Sequence, residues 1–124
     1  NIKLVEYIYD MPLRMAAADL VIARSGAMTL TELAALGKPS ILIPSPNVTE
    51  NHQFFNAKTY SDAGAAVLIE ESELNGEVLY ATLCDLVFDR GRLCDMERAA
   101  RTLAHPSATA RICDEIEALA ARPR

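Results

Sequence analysis

The sequence has 124 residues, of which 51% are hydrophobic and 6% aromatic, and its formal net charge is −5. This length allows a single domain with a substantial core. Basic residues form no run longer than two, which argues against nucleic-acid binding, and no apolar stretch reaches the ~20 residues of a membrane-spanning helix. The cysteines, Cys84, Cys94 and Cys113, are too widely spaced for a zinc site or a disulfide framework, so we expect free thiols and no bound metal.

Two strands and a short helix are predicted at the start of the chain. Residues 2–8 alternate and are rich in β-forming side chains, which predicts a strand. Pro12 begins a predicted helix that runs to Ala18, because proline is tolerated in the first turn of a helix. A second strand is predicted at residues 20–24.

A small-residue turn at residues 25–27 separates this strand from a second predicted helix. Thr29 and Glu32 have the spacing of a capping box, which predicts that the helix begins at Thr29. Gly37 stands where a left-handed C-cap belongs, and a proline two residues later prevents the helix from continuing. A buried strand is predicted at residues 40–43.

The rest of the chain predicts one more strand and four helices. Asn51 is the predicted N-cap of a helix over residues 49–62, and Gly64 ends it before a strand at residues 65–70. Apolar spacings of three and four indicate helices over 74–87, over 93–103 and from Ser107 onward, with Ser107 as the cap of the last. Strands that alternate with helices indicate an α/β fold with a parallel sheet covered on both faces.

The turn at residues 25–29 predicts an anion-binding site. A strand that ends at a small-residue turn before a helix leaves backbone N–H groups without partners, and the helix dipole favours a phosphate there. Ligands of open α/β sheets bind beyond the carboxyl ends of the strands, where this turn lies. The alternative is a strand–helix turn without a ligand, and the spacing by itself leaves both readings open.

Polar side chains also follow the neighbouring predicted strand. Asn51, His52, Gln53 and Asn56 offer amide and imidazole groups, whose donors and acceptors suit sugar hydroxyls. The alternative is that Asn51 caps its helix and that His52 and Gln53 are solvated. Both alternatives stay open from the residue types alone.

These two groups of residues belong to a longer resemblance. Segments 18–33, 37–44 and 51–57 read ADLVIARSGAMTLTEL, GKPSILIP and NHQFFNA. Together they resemble the C-terminal domain of a bacterial glycosyltransferase family of peptidoglycan synthesis. Its members add N-acetylglucosamine to undecaprenyl-pyrophosphoryl-muramoyl-pentapeptide and so convert lipid I to lipid II. The resemblance runs from about Leu4 to Leu119.

The resemblance implies a fold and a domain organisation. The fold is a Rossmann-like, three-layer parallel sheet, the C-terminal donor-binding domain of a two-domain, B-type glycosyltransferase. Residues 1–124 would be a partial nucleotide-sugar-binding domain, incomplete at its N-terminal side. The acceptor site and the catalytic base would belong to an N-terminal domain, so we expect no catalytic residue in this chain.

The resemblance also implies the roles of residues that meet the nucleotide. The diphosphate-facing turn would comprise Ser25, Gly26, Ala27, Met28 and Thr29. Glu32 would hold the ribose hydroxyls from the first turn of the helix, and the backbone of Ile8 would meet the uracil. Glu32 has a second reading as half of the capping box, and both roles are compatible.

Further implied roles concern the sugar and the phosphate. His52, Gln53 and Asn56 fall where the family places sugar-facing and supporting polar groups, although some members carry Gln at the position of His52. Arg24 would meet a phosphate or would brace the turn through a carboxylate.

The implied ligand is UDP-N-acetylglucosamine, with no metal or other cofactor. The undecaprenyl-linked acceptor would be reached through the N-terminal domain, which implies a peripheral position on the cytoplasmic face of the inner membrane. The alternative function is a non-catalytic nucleotide-sugar-binding subunit of a split glycosyltransferase, which needs a separate acceptor-binding chain. A nucleotide-sugar epimerase shares the fold, but the sequence lacks the carboxylate-rich pattern that would favour it.

The strand count predicts an open sheet. In the order 3-2-1-4-5-6, this chain would hold strands 3 to 6 without strands 1 and 2. The strand at 20–24 would then expose an edge of unpaired backbone groups. Either residues 2–8 pair with it, or a partner chain fills the gap, or the N-terminal segment packs poorly. A dimer through this edge is the outcome we expect.

Overall fold

The computed structural model describes residues 2–48 and 51–121 of the chain. Its three strands form one parallel sheet in the order β1-β2-β3, with Ile22 opposite Ile41 and Ile41 opposite Val67. A helix lies between each pair of consecutive strands, as parallel pairing requires. In chain order the elements are α1 (Met11–Ala17), β1 (Val21–Ala23), α2 (Ala27–Leu36), β2 (Ser40–Leu42), α3 (His52–Asp62), β3 (Ala66–Leu68), α4 (Gly76–Val87), α5 (Arg90–Thr102) and α6 (Ala108–Ala120).

Two apolar clusters lie on opposite faces of the sheet. Leu42 packs with residues of α1, α2 and α3, including Met15 and Leu33. Ile41 packs instead with residues of α4 and α5, including Leu86. Because successive side chains of a strand point to opposite faces, adjacent residues of β2 serve the two clusters. The predicted three-layer arrangement is therefore confirmed.

Two glycines end α2 and α3 with the same geometry. Gly37 has φ 64° and Gly64 has φ 79°, both in the left-handed region. The N–H of Lys38 donates to the C=O of Leu33 at 2.8 Å, and the corresponding bond ends α3. This is the long bond of the Schellman motif, and glycine adopts the required conformation without a steric cost. The predicted C-cap at Gly37 is confirmed.

The predicted strand at residues 2–8 is wrong. These residues form no strand, and Ile2 and Leu4 are 101% and 96% exposed. An isolated strand is not stable without a hydrogen-bonding neighbour. β1 has an open edge in the sheet of the described residues, but residues 2–8 do not pair with it. The N-terminal segment therefore packs poorly in the single chain, Asn1 lies outside the described residues, and the expected dimer through the β1 edge stays a prediction.

The predicted capping box is also wrong. α2 begins at Ala27, two residues earlier than predicted, with Gly26 at the N-cap and no side-chain capping bond. Thr29 is therefore inside the first turn, and Glu32 lies in the second turn rather than the first. The early start follows from the extended backbone of Gly26 (ψ 146°), which lets the helix follow the strand almost directly.

Other predicted caps differ in the same way. Asn51 precedes α3 with a left-handed backbone (φ 53°) and makes no side-chain capping bond, and neither does Ser107 before α6. Thr49 and Glu50, which were predicted to begin α3, lie outside the described residues. Asn75 does cap α4, because its side chain accepts a bond from Val78 N at 2.9 Å.

The last helix, α6, has no buried residue. Its predicted apolar face exists, but Ile112, Ile116 and Leu119 are each about three-fifths exposed (60%, 59% and 58%). Nothing in the described part of the chain covers this face. No helix within residues 2–48 and 51–121 has both the length and the apolar character to cross a membrane.

Candidate functional site

The three strands end on the same side of the sheet, which is its carboxyl edge. The turn at residues 24–26 follows β1, and a loop that includes residues 43–48 follows β2. Because parallel strands end on the same side, both connections reach this edge, where ligands of open α/β sheets bind. The predicted anion site and the predicted sugar-facing group are therefore neighbours.

The first turn of α2 carries unpaired backbone donors. Within residues 2–48 and 51–121, no group accepts a hydrogen bond from the N–H of Ala27, Met28 or Thr29. A Cβ added at Gly26 would meet no atom within 4 Å, so the space beside the turn is open. Such N–H groups and the helix dipole together favour an anion.

The first turn of α3 packs directly against this turn. The buried Ser25 hydroxyl donates to the C=O of Gln53 at 2.7 Å. The Asn56 side-chain amide donates to the C=O of Ser25 at 3.3 Å. These bonds bring the predicted sugar-facing segment against the predicted anion turn, although the two are about thirty residues apart in sequence.

Gln53 also holds the loop after β2. Its side-chain oxygen accepts a bond from the backbone N–H of Ser45 at 3.0 Å. The oxygen is thereby occupied by the protein, so the amide's two N–H groups are the part of Gln53 suited to meeting a ligand. These N–H groups suit a hydrogen-bond acceptor on a ligand, such as a sugar hydroxyl oxygen.

Arg24 also braces the start of this loop. Its Nη1 donates to the C=O groups of Ile43 and Pro44, both at 3.3 Å, and it forms an ion pair with Glu71. The hydrogen bond between them raises the pKa of Arg24 and lowers the pKa of Glu71. Of the two roles left open by the sequence, bracing through a carboxylate matches this geometry; the phosphate contact stays a prediction.

Three further predicted site residues are Glu32, His52 and Ile8. Glu32 is exposed in the second turn of α2, and His52 is exposed at the start of α3. Ile8 is half-buried in the irregular segment before α1. No hydrogen bond of the described residues joins Ile8 to residues 25–29. Their assigned ligand contacts stay predictions.

Two groups at this end of the sheet are not predicted from the sequence, namely Glu71 and the backbone of Ser45. A cleft of about 350 Å³ lies between the loops that follow β2 and β3, with both residues in its lining. A signal for Glu71 was available, since it directly follows the predicted strand 65–70 and so had to lie at the same edge. None of the His, Cys, Asp and Glu side chains of the described residues forms a group of three able to hold a metal.

Residues 1–112 match the sequence profile described as the glycosyltransferase family 28 C-terminal domain. The chain belongs to glycosyltransferase family 28. Its Rossmann-like α/β fold is supported by the crystal structure of Acinetobacter baumannii MurG, with a TM-score of 0.85 and 36% identity over 93% of this chain and 33% of that one. A glycosyltransferase of kitacinnamycin, at 22% identity and a TM-score of 0.69, shares the fold.

Curated family 28 proteins give the same picture. The chain is 48% identical over 117 residues to a UDP-N-acetylglucosamine–N-acetylmuramyl-(pentapeptide) pyrophosphoryl-undecaprenol N-acetylglucosamine transferase of Acetivibrio thermocellus, covering 94% of this chain and 32% of that protein. It is 43% identical over 116 residues to the protein of the same name from Listeria monocytogenes, with the same coverage. The chain thus spans about a third of the length of these relatives.

Proposed function

We propose that this chain is the donor-binding portion of a family 28 glycosyltransferase. The donor is UDP-N-acetylglucosamine, and the acceptor is the undecaprenyl-pyrophosphoryl-linked muramyl-pentapeptide, so that the whole enzyme converts lipid I to lipid II. The names of the relatives support both substrates. A lipid-linked acceptor supports a peripheral location of the whole enzyme on the cytoplasmic face of the inner membrane.

One observation carries this proposal. The unpaired N–H groups at residues 27–29 lie beside Gln53 and Asn56, both of which are tied to Ser25 or its neighbouring loop. The amides suit an anion, and the polar side chains beside them suit hydroxyl groups. A sugar diphosphate carries both kinds of group. In this proposal the diphosphate lies on the amides, and the sugar lies towards His52, Gln53 and Asn56.

The proposed mechanism is electrostatic. When the glycosidic bond to the diphosphate breaks, negative charge develops on the leaving phosphate. Preorganised N–H groups at a helix N-terminus stabilise such charge without reorganising during the reaction. Glu32 would fix the ribose, and the backbone of Ile8 the uracil, which orients the reacting bond. The attack itself requires the acceptor-binding domain, and by itself this chain is expected to bind the donor weakly and to catalyse nothing.

Substitution of Ala27 by proline tests the role of the amides directly. Proline is favoured at the first position of a helix, and the preceding Gly26 already has the extended backbone (ψ 146°) that proline requires. Ala27→Pro therefore removes one N–H while the helix is retained. We expect the affinity for UDP-N-acetylglucosamine, measured by calorimetry on the full-length protein, to fall by about 1.5–3 kcal/mol.

Ala27→Val is the matched control, because it alters the exposed side chain and keeps the N–H. We expect its affinity to match that of the wild-type protein. Equal affinities of a folded Ala27→Pro protein and the wild type would contradict the assignment of the diphosphate to this turn.

The alternative function is a non-catalytic nucleotide-sugar-binding subunit of a split glycosyltransferase. In that case a separate chain would supply the acceptor site. The two functions share the donor site and differ in whether the acceptor-binding half is encoded in the same gene, so the sequence upstream of Asn1 in the gene distinguishes them.

A further inference from the structure

Arg24 connects the ends of all three strands. It follows β1, its Nη1 bonds the C=O groups of Ile43 and Pro44 at the end of β2, and its ion-pair partner Glu71 follows β3. All three acceptors contact one nitrogen of the guanidinium group, Nη1, and share its two N–H groups. Arg24 therefore fixes the relative positions of the segments that follow β1, β2 and β3 at the carboxyl edge of the sheet.

The start of the loop after β2 is held from two directions. Arg24 bonds the carbonyl oxygens of residues 43 and 44, while Gln53 bonds the N–H of Ser45 at 3.0 Å. Three consecutive residues thus have their backbone groups fixed by the side chains of Arg24, which follows β1, and Gln53, which lies in α3. Gln53 is also the residue whose carbonyl oxygen receives the Ser25 hydroxyl.

The alternation of β1 places Arg24 and Ser25 on different faces. Leu20 packs with the α4 and α5 cluster, and Val21 packs with the α1–α3 cluster. Continued alternation directs Arg24 towards α4 and Ser25 towards α3, which agrees with their observed partners, Glu71 and Gln53. The guanidinium group is thus on the opposite face of the sheet from the helix that carries the unpaired amides.

We propose that Arg24, held by Glu71, is a positioning residue that sets the loop after β2 against Gln53 and so orients the sugar-facing side of the donor site. Glu71 has no assigned role in the site otherwise. This inference depends on the proposed donor-binding function. A positioning role differs from direct binding of phosphate by Arg24. If Arg24 bound phosphate, Glu71 would compete with the diphosphate for the guanidinium group.

Glu71→Gln separates the two roles because they predict opposite changes in the affinity for UDP-N-acetylglucosamine. If Arg24 positions the loop, loss of the Glu71 charge loosens the loop, and recognition of the sugar weakens while the amides still bind the diphosphate. We expect the affinity of the full-length protein for UDP-N-acetylglucosamine to fall about tenfold, and that for UDP to stay within about twofold. If Arg24 binds phosphate, release from Glu71 raises both affinities, and this result would overturn the inference.

Asp95→Asn is the matched control. Asp95 forms an ion pair with Arg98 on α5, so the substitution removes the same charge from a comparable surface pair away from the site. We expect both affinities to equal those of the wild type. Arg24→Lys should resemble Glu71→Gln, because lysine keeps the charge but lacks the Nη1 atom that makes these contacts.

A double-mutant cycle and a ligand-free measurement complete the test. With Arg24→Gln already present, Glu71→Gln should have no additional effect, since both act through one contact. Hydrogen exchange at the Ser45 N–H should be faster in Glu71→Gln without any ligand. Additive effects, or an unchanged exchange rate, would overturn the positioning role. A wild-type protein that binds neither UDP nor UDP-N-acetylglucosamine would overturn the proposed function, and this inference with it.

Discussion

At the scale of single residues, the site depends on a few side chains that each do two things. Ser25 is buried, donates to the C=O of Gln53 and offers its own C=O to Asn56. Tyr60 of α3 packs against the apolar cluster that α1, α2 and α3 form with the sheet. Its hydroxyl donates to the C=O of Leu30 at 2.7 Å, which ties α3 to α2. Partial burial raises the pKa of Tyr60, so this donor stays protonated over the neutral range.

Glu32 is the residue whose proposed role is simplest to test. It is exposed and takes no part in a capping bond, so its substitution has little structural consequence. If it holds the ribose hydroxyls, Glu32→Ala should weaken the binding of UDP-N-acetylglucosamine by about 1–3 kcal/mol, measured by calorimetry. Glu117→Ala on the exposed face of α6 is the control, with no expected change. A Glu32→Ala protein with wild-type affinity would remove the ribose contact from the proposal.

At the scale of elements, the helix ends contribute to stability in a way that can be measured. Gly37 and Gly64 both have positive φ, but their surroundings differ. A Cβ at Gly37 would lie 2.6 Å from the Arg101 side chain, whereas a Cβ at Gly64 would meet nothing within 4 Å. The two sites therefore separate backbone strain from the additional displacement of a neighbouring side chain.

We expect Gly64→Ala to reduce the free energy of unfolding by about 1–2 kcal/mol, the cost of a left-handed residue with a Cβ. Gly37→Ala should have a larger effect, because Arg101 must also move. Both are measured by urea denaturation. Gly76→Ala, at a site with ordinary φ and no atom within 4 Å, should change stability by less than about 0.5 kcal/mol. Equal losses at Gly37 and Gly64 would show that Arg101 moves without cost.

At the scale of the whole molecule, the sheet has an open edge at β1. The N–H of Val21 donates to Pro39, and the C=O of Ala23 accepts from Ile43, so these two residues face β2. The backbone groups of Ile22 therefore point to the opposite side, where the described residues supply no strand. The Ile22 side chain is also 41% exposed. Such an edge is available for pairing with another chain.

We propose that this chain, expressed by itself, dimerises through the β1 edge. Sedimentation velocity should show an association that depends on concentration. Ile22→Pro removes only an outward-facing N–H, so it should abolish the dimer and leave the sheet and the circular dichroism spectrum intact. Persistence of the dimer in a folded Ile22→Pro protein would place the interface elsewhere, and the exposed face of α6 would then be examined by Ile116→Lys.

The sequence predicted the features that depend on local chemistry. The apolar run before Pro44 indicates a buried strand. Gly37 indicates a helix end, because glycine adopts the left-handed backbone of a C-cap without a steric cost. The turn at residues 25–29 and the polar group at 51–56 were also recognisable. Their meeting at one edge followed from the parallel order of the strands, which fixes where the connections lie.

Only the tertiary structure decided what depends on distant neighbours. The alternating pattern of residues 2–8 predicts a strand, but a strand needs a paired neighbour, and these residues do not pair with the open edge of β1. Gly26 has an extended backbone and is the N-cap of α2, so the helix begins at Ala27. The spacing of Thr29 and Glu32 does not set this start. The ion pair of Arg24 with Glu71 joins residues 47 apart, which the fold brings together and local sequence cannot specify.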